Sequence, residues 1–167
     1  MSTPQQATET AWQIHTALGE WTARVDAKAS FALTLESAAT AGIIALSTDD
    51  HMFTHLHGWG VRAPLWAGTI LILIGGLFAT LVVVPRLRSS KDLVAEAPNH
   101  FIYFGHLRHR EAGELTTALL QTDVLPVLSQ QLINMSHIAW RKHRHVQWSF
   151  ICFGLGAVTV FVAGLFS

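Results

Sequence analysis

The chain has 167 residues, half of them hydrophobic and 13% charged, where a soluble domain carries about 25% charged residues. That deficit leaves too little charge to solvate an ordinary globule, and the length allows one domain rather than two. Formal net charge is zero with His neutral, so nothing global points to a nucleic-acid partner.

Taken in order, MSTPQQATET has neither the basic nor the apolar region of a secretory signal. Residues 1–28 are predicted as an N-terminal helix. Ile14, Leu18, Trp21 and Val25 recur at intervals of four, three and four, which makes an apolar stripe. Glu20 and Arg24 form an i,i+4 pair. No Gly or Pro separates Glu20 from the first apolar run, 29–47. That run, ASFALTLESAATAGIIALS, is interrupted only by Glu36 and is predicted to span a membrane, the alternative being an interfacial helix that leaves two spans. An acid inside a span is costly and reads as functional, so Glu36 is a candidate intramembrane polar site, for pore lining or interhelical bonding. The equal alternative is a place near the headgroups, about two turns from the cytoplasmic end. Ser37, Ala41 and Ala45, four apart, form a small-residue face suited to close helix contact.

Residues 48–64 form a loop in which Arg62 stands against Asp49 and Asp50. His51, His55 and His57 have spacing that suits a metal, yet a structural zinc site needs further fixed ligands. The loop is expected to be solvated and to hold no metal. The second span covers 65–85. Its core, LWAGTILILIGGLFATLVVV, is twenty residues without charge, about 30 Å of helix and the thickness of the hydrocarbon.

Residues 86–147 are predicted as a largely helical soluble region. Ser89 to Asn99 reads as a linker, with Pro98 as a breaker. FIYFGHL is apolar and aromatic enough to anchor the loop, and Glu111 to Gln121 should be a short helix with Leu115, Ala118 and Leu119 inward. A longer helix then starts near Pro126, with Asp123 as cap and Leu128, Leu132, Met135 and Ala139 as its stripe. It runs without a breaker into the third span, 148–166, where Cys152 is the single cysteine and so forms no intrachain disulfide. Gly154, Gly156 and Gly164 there permit close packing.

Ten of the eleven basic residues, all but Arg62, fall on one side of these spans. The positive-inside rule makes that side cytoplasmic, with the N-terminus inside and the C-terminus outside. The expected fold is therefore all-α, with about three transmembrane helices, two of which continue as cytoplasmic stalks. Stalks carrying apolar stripes are expected to pack together.

Arg108, Arg110, Arg141, Lys142 and Arg144 are candidates for binding a nucleotide or other anion. The competing reading is contact with anionic lipid, because consecutive residues on one helix diverge and cannot all face one ligand. Lys28 should snorkel to the interface, and Asp26 should pair with a base on another helix, Arg141 or Lys142. No nucleophile–base pair, Gly-rich phosphate loop or Cys/His framework is evident, so neither catalysis nor a cofactor is expected.

Asp26-Ala27-Lys28-Ala29 entering an apolar helix, IYFGHL at 102–107 and LSQQLINMSHIAWRKH at 128–143 together resemble the membrane effectors of Pycsar antiphage systems. The resemblance marks Asp26, Lys28, Phe104, Gly105, Gln131, Ser136 and Lys142 as motif residues. It departs at Glu36, where a neutral residue such as Asn is expected. It implies a bacterial inner-membrane protein that damages the bilayer when a cyclic pyrimidine nucleotide is made on infection. A homo-oligomer is expected on separate grounds, since three spans are too few to enclose a wide pore alone and the small-residue faces permit close packing. The chain has no room for a separate nucleotide-binding domain, so the helical cytoplasmic part or a partner would sense that signal. A non-catalytic anchor or regulatory subunit for a cytoplasmic enzyme is the alternative, and a constitutive transporter or channel has less to support it.

Overall fold

A computed structural model describes residues 3–47, 59–85 and 89–165. Among the described residues six helices follow in order: α1 (Pro4–Ser47), α2 (Trp59–Val83), α3 (Ser90–Glu96), α4 (Phe104–Leu107), α5 (Ala112–Gln121) and α6 (Val124–Leu165). Among the described residues there is no strand. Three of the helices, α1, α2 and α6, are long and apolar enough to cross a membrane. The protein is an all-α membrane protein. With 44 and 42 residues, α1 and α6 are each about twice the 20 residues that a span requires.

Local sequence explains where these helices begin. Thr3 and Gln6 cap α1 reciprocally: the Gln6 N–H donates to Thr3 Oγ1 and the Thr3 N–H to Gln6 Oε1, with Pro4 at the first helical position. Asp123 caps α6 by accepting from the Leu125 N–H at 3.0 Å. Pro126 then falls where a missing N–H breaks no helical bond.

One periodicity runs through all three long helices. On α1 the inward positions are 11, 15, 18, 22, 25, 29, 32 and 36; on α2 they are 68, 72, 75, 79 and 82; on α6 they are 128, 132, 135, 139, 142, 146, 149, 153, 156, 160 and 163. The intervals alternate between four and three, the 3.5-residue repeat of left-handed helix packing.

This register revises part of the sequence reading. Leu18 and Val25 are buried, but Ile14 and Trp21 are 45% and 52% exposed, because the seam starts from Ala11 and passes them by. The α6 stripe follows the expected positions. Residues 90–96, expected as linker, form α3 instead: nothing breaks SKDLVAE before Pro98, Asp92 lies in its first turn, and Leu93 is buried. On α5, Leu115 and Ala118 are half-buried as expected, whereas Leu119 is exposed.

The chain divides into two compact units, Met1–Thr22 with Pro85–Trp140 and Ala23–Val84 with Arg141–Ser167. The second is a three-helix bundle. Asp26 meets Lys142 and Glu36 meets Ser149, so α1 and α6 run parallel. Gly75 lies against Glu36 and Ser149, and Gly68 against Gly156 and Val160, so α2 runs antiparallel to both. Val25, Ala29, Val82 and Val146 form a buried cluster at the end where residues 23, 84 and 141 lie.

Small residues set the spacing of this bundle. A Cβ on Gly68 would lie 2.8 Å from the Gly156 carbonyl oxygen, and one on Gly156 would lie 2.6 Å from the Gly68 carbonyl oxygen. Backbone-to-backbone approach of this kind supplies the packing that draws helices together in lipid, where apolar burial gives no drive. Large apolar side chains such as Phe31, Leu73, Leu77, Leu155 and Phe161 point outward. Ser37, Ala41, Ala45 and Gly154 also face away from the bundle. The outward Ser37 hydroxyl is satisfied within its own helix by the Leu33 carbonyl at 2.7 Å, as lipid exposure requires.

Candidate functional site

Three polar residues of the bundle, Glu36, Lys142 and Ser149, lie on its seam, and Asp26 lies beside it. Lys142 Nζ donates to both carboxylate oxygens of Asp26, at 2.6 and 2.8 Å. Of the two bases considered for Asp26, Lys142 is the one on the inward face, between Ala139 and Val146, while Arg141 points outward. The pair is only partly buried, so water screens it and its contribution is about 1 kcal/mol or less.

Further along α1, Glu36 is 2% exposed, and its Oε1 accepts from Ser149 Oγ at 2.9 Å. A Cβ on Gly75 would lie 2.6 Å from the same oxygen, so α2 makes room for the carboxyl by carrying no side chain there. Interhelical hydrogen bonds of this kind contribute about 0.6 kcal/mol on average in membranes, and at most about 1.7. Three residues along α2 from Gly75, Phe78 stacks on His145 with ring centroids 5.9 Å apart.

The other unit holds a separate polar cluster. Arg110 Nε donates to the Ala97 carbonyl at 2.8 Å, Nη2 reaches the Ala97 and Pro98 carbonyls, and the guanidinium lies over the Phe101 ring. These bonds satisfy carbonyls left at the end of α3. Buried His106 meets Glu96 at 3.2 Å and stacks with His100. Gly105 is required by crowding, since a Cβ there would run into the Tyr103 ring. Phe101 is buried, as expected of an anchor. It lines an open cleft with Thr8, Trp12, His15, Ile102, Leu119 and Val124.

The candidate anion-binding residues are thus divided. Arg110 and Lys142 already donate to protein oxygens, whereas Arg108, Arg141 and Arg144 are exposed. Of the motif residues, Lys28 and Phe104 are exposed and Gln131 is half-buried. Ser136 Oγ donates to the Ile133 carbonyl. His51, His55 and His57 lie outside the described residues.

The sequence reading missed Ser149, Gly68 and Gly75. The signal for all three was the alternation of fours and threes through 68–82 and 146–163, which hydropathy alone does not reveal.

A family model described as the Pycsar effector protein domain, PycTM, matches residues 10–167, nearly the whole chain. The chain belongs to that family. No curated protein and no solved structure gave a significant match. This Pycsar effector is therefore an antiphage-defence effector with a transmembrane domain. PycTM is a membrane-effector family rather than a known catalytic one.

Proposed function

We propose that this effector disrupts or permeabilises the bacterial inner membrane in response to a cyclic pyrimidine nucleotide. The supporting observation is that the family match takes in both the spans and the helices beyond them. In this reading residues 1–28 and 86–147 are cytoplasmic, 48–64 and the C-terminus external, as the basic residues direct. The exposed bases available to an anionic signal are Arg108 in one unit and Arg141 and Arg144 in the other, with Lys142 available where its bond to Asp26 opens; Arg110 is the remaining candidate. Gln131 and Ser136 contribute to the α6 side of that response. The bilayer is one partner and further copies of the chain are the other, since three spans are too few to enclose a wide pore alone. A single-chain mass for the detergent-extracted protein at every concentration would remove the second.

A resting cell must tolerate the protein, so the closed state dominates without signal. Moving the population from 1:99 to 99:1 requires about 5.5 kcal/mol of preference of the ligand for the open state. The test is dye entry and growth in cells expressing the protein with and without a nucleotide cyclase. Dye entry should rise only with the cyclase that makes cyclic CMP or cyclic UMP. Unchanged permeability with these and with the common purine cyclic nucleotides, in cells with confirmed insertion, would leave the anchor reading in its place.

A further inference from the structure

Three helices converge on one carboxyl in the middle of the bundle. Glu36 Oε1 is held by Ser149 on α6, while Oε2 is buried with no hydrogen-bond partner among the described residues. The facing helix presents two consecutive glycines: a Cβ would lie 2.6 Å from Oε1 at Gly75 and 3.5 Å from Oε2 at Gly76. An amide or hydroxyl would bridge α1 to α6 equally well without placing an acid in the span. The carboxyl instead uses one oxygen and leaves the other sealed against a bare backbone. Carboxylates that line an aqueous path are the groups that select cations.

We infer that Glu36 is the cation-selecting group of the path this protein opens, shut in the closed bundle against Ser149 and the Gly75–Gly76 face. The inference rests on the permeabilising function proposed above. Its ligands are hydrated monovalent metal cations, for which potassium serves as the probe. Separating the helices at this level exposes the carboxylate to water, and repeated copies around a path would present a ring of them.

The test uses full-length protein in liposomes under a potassium chloride gradient. One arm adds cyclic CMP or cyclic UMP; a second uses an Asp26→Lys background, which breaks the Lys142 pair without any ligand. The expected result is a reversal potential on the potassium side, which Glu36→Gln brings to zero. The exchange Glu36→Ser with Ser149→Glu, which returns a carboxyl to the same seam, should restore it. A merely structural Glu36 would alter yield or melting temperature and leave the reversal potential in place, overturning the inference. It also falls if wild type does not discriminate potassium from chloride, or if the current survives replacement of potassium by N-methylglucamine and follows a pH gradient. A silent nucleotide arm beside a selective Asp26→Lys arm upholds Glu36 and removes the nucleotide signal instead. Silence in both arms overturns the permeabilising function together with this inference.

Discussion

The Asp26–Lys142 bond joins residues 116 positions apart at the end of the bundle where residues 23, 84 and 141 lie. Replacing Asp26 by Lys sets two ammonium groups against each other, and adding Lys142→Asp restores opposite charges. The single variant should melt lower in detergent by about 1 kcal/mol or less, given the partial exposure of both groups. It should also raise dye entry in resting cells, and the double variant should recover both. Additive effects in the double variant would show that the two residues are not linked. That Asp26 needs a base follows from its sequence position beside an apolar run. Which base answers was settled by helical register, because adjacent residues Arg141 and Lys142 point about 100° apart on a helix. Glu36 was conspicuous as the lone charge of its run. Its partner was not, since Ser149 is one small hydroxyl in a stretch whose apolar residues mark no face.

At the scale of elements, long helices were legible wherever no Gly or Pro interrupted the soluble part, as between Glu20 and the first span. The short α3 was hidden because the polar sequence SSKD resembles a loop until Leu93 finds a buried place. Helix faces were less legible than helix extents: Ile14 and Trp21 are as apolar as buried residues, and only the 3.5-residue seam separates them. The same seam distinguishes two glycines two residues apart. Gly156 is buried against the Gly68 carbonyl, whereas nothing lies within 4 Å of a Cβ on Gly154. Gly156→Leu should therefore force α2 from α6 and cost about 1–3 kcal/mol, the usual range for overpacking. Gly154→Leu should be neutral or slightly stabilising, since it fills open space on a helix. Thermal unfolding in detergent compares the two. Equal losses would place the α2–α6 contact elsewhere.

For the whole molecule, helix directions and charge distribution bear on the same question by independent routes. Contacts along the bundle set α1 parallel to α6 and antiparallel to α2, so residues 23, 84 and 141 share one end. That end carries Arg24, Lys28, Arg141, Lys142 and Arg144, and the sequence beyond it carries Arg86, Arg88 and Lys91. Between the first two apolar runs the sequence carries a single basic residue, Arg62, with Asp49 and Asp50. Lys and Arg are retained on the cytoplasmic side during insertion, while acidic residues count for little. An inverted chain would have to carry most of its basic residues across the bilayer. Single cysteines at Thr54 and Arg88, in a Cys152→Ser background, read the outcome directly. An impermeant maleimide added to intact spheroplasts should label the cysteine at 54 and spare the one at 88 until the cells are broken. Labelling of both from outside would reject three spans, and labelling of position 88 alone would reverse the orientation and place the exposed arginines where no cytoplasmic nucleotide can reach them.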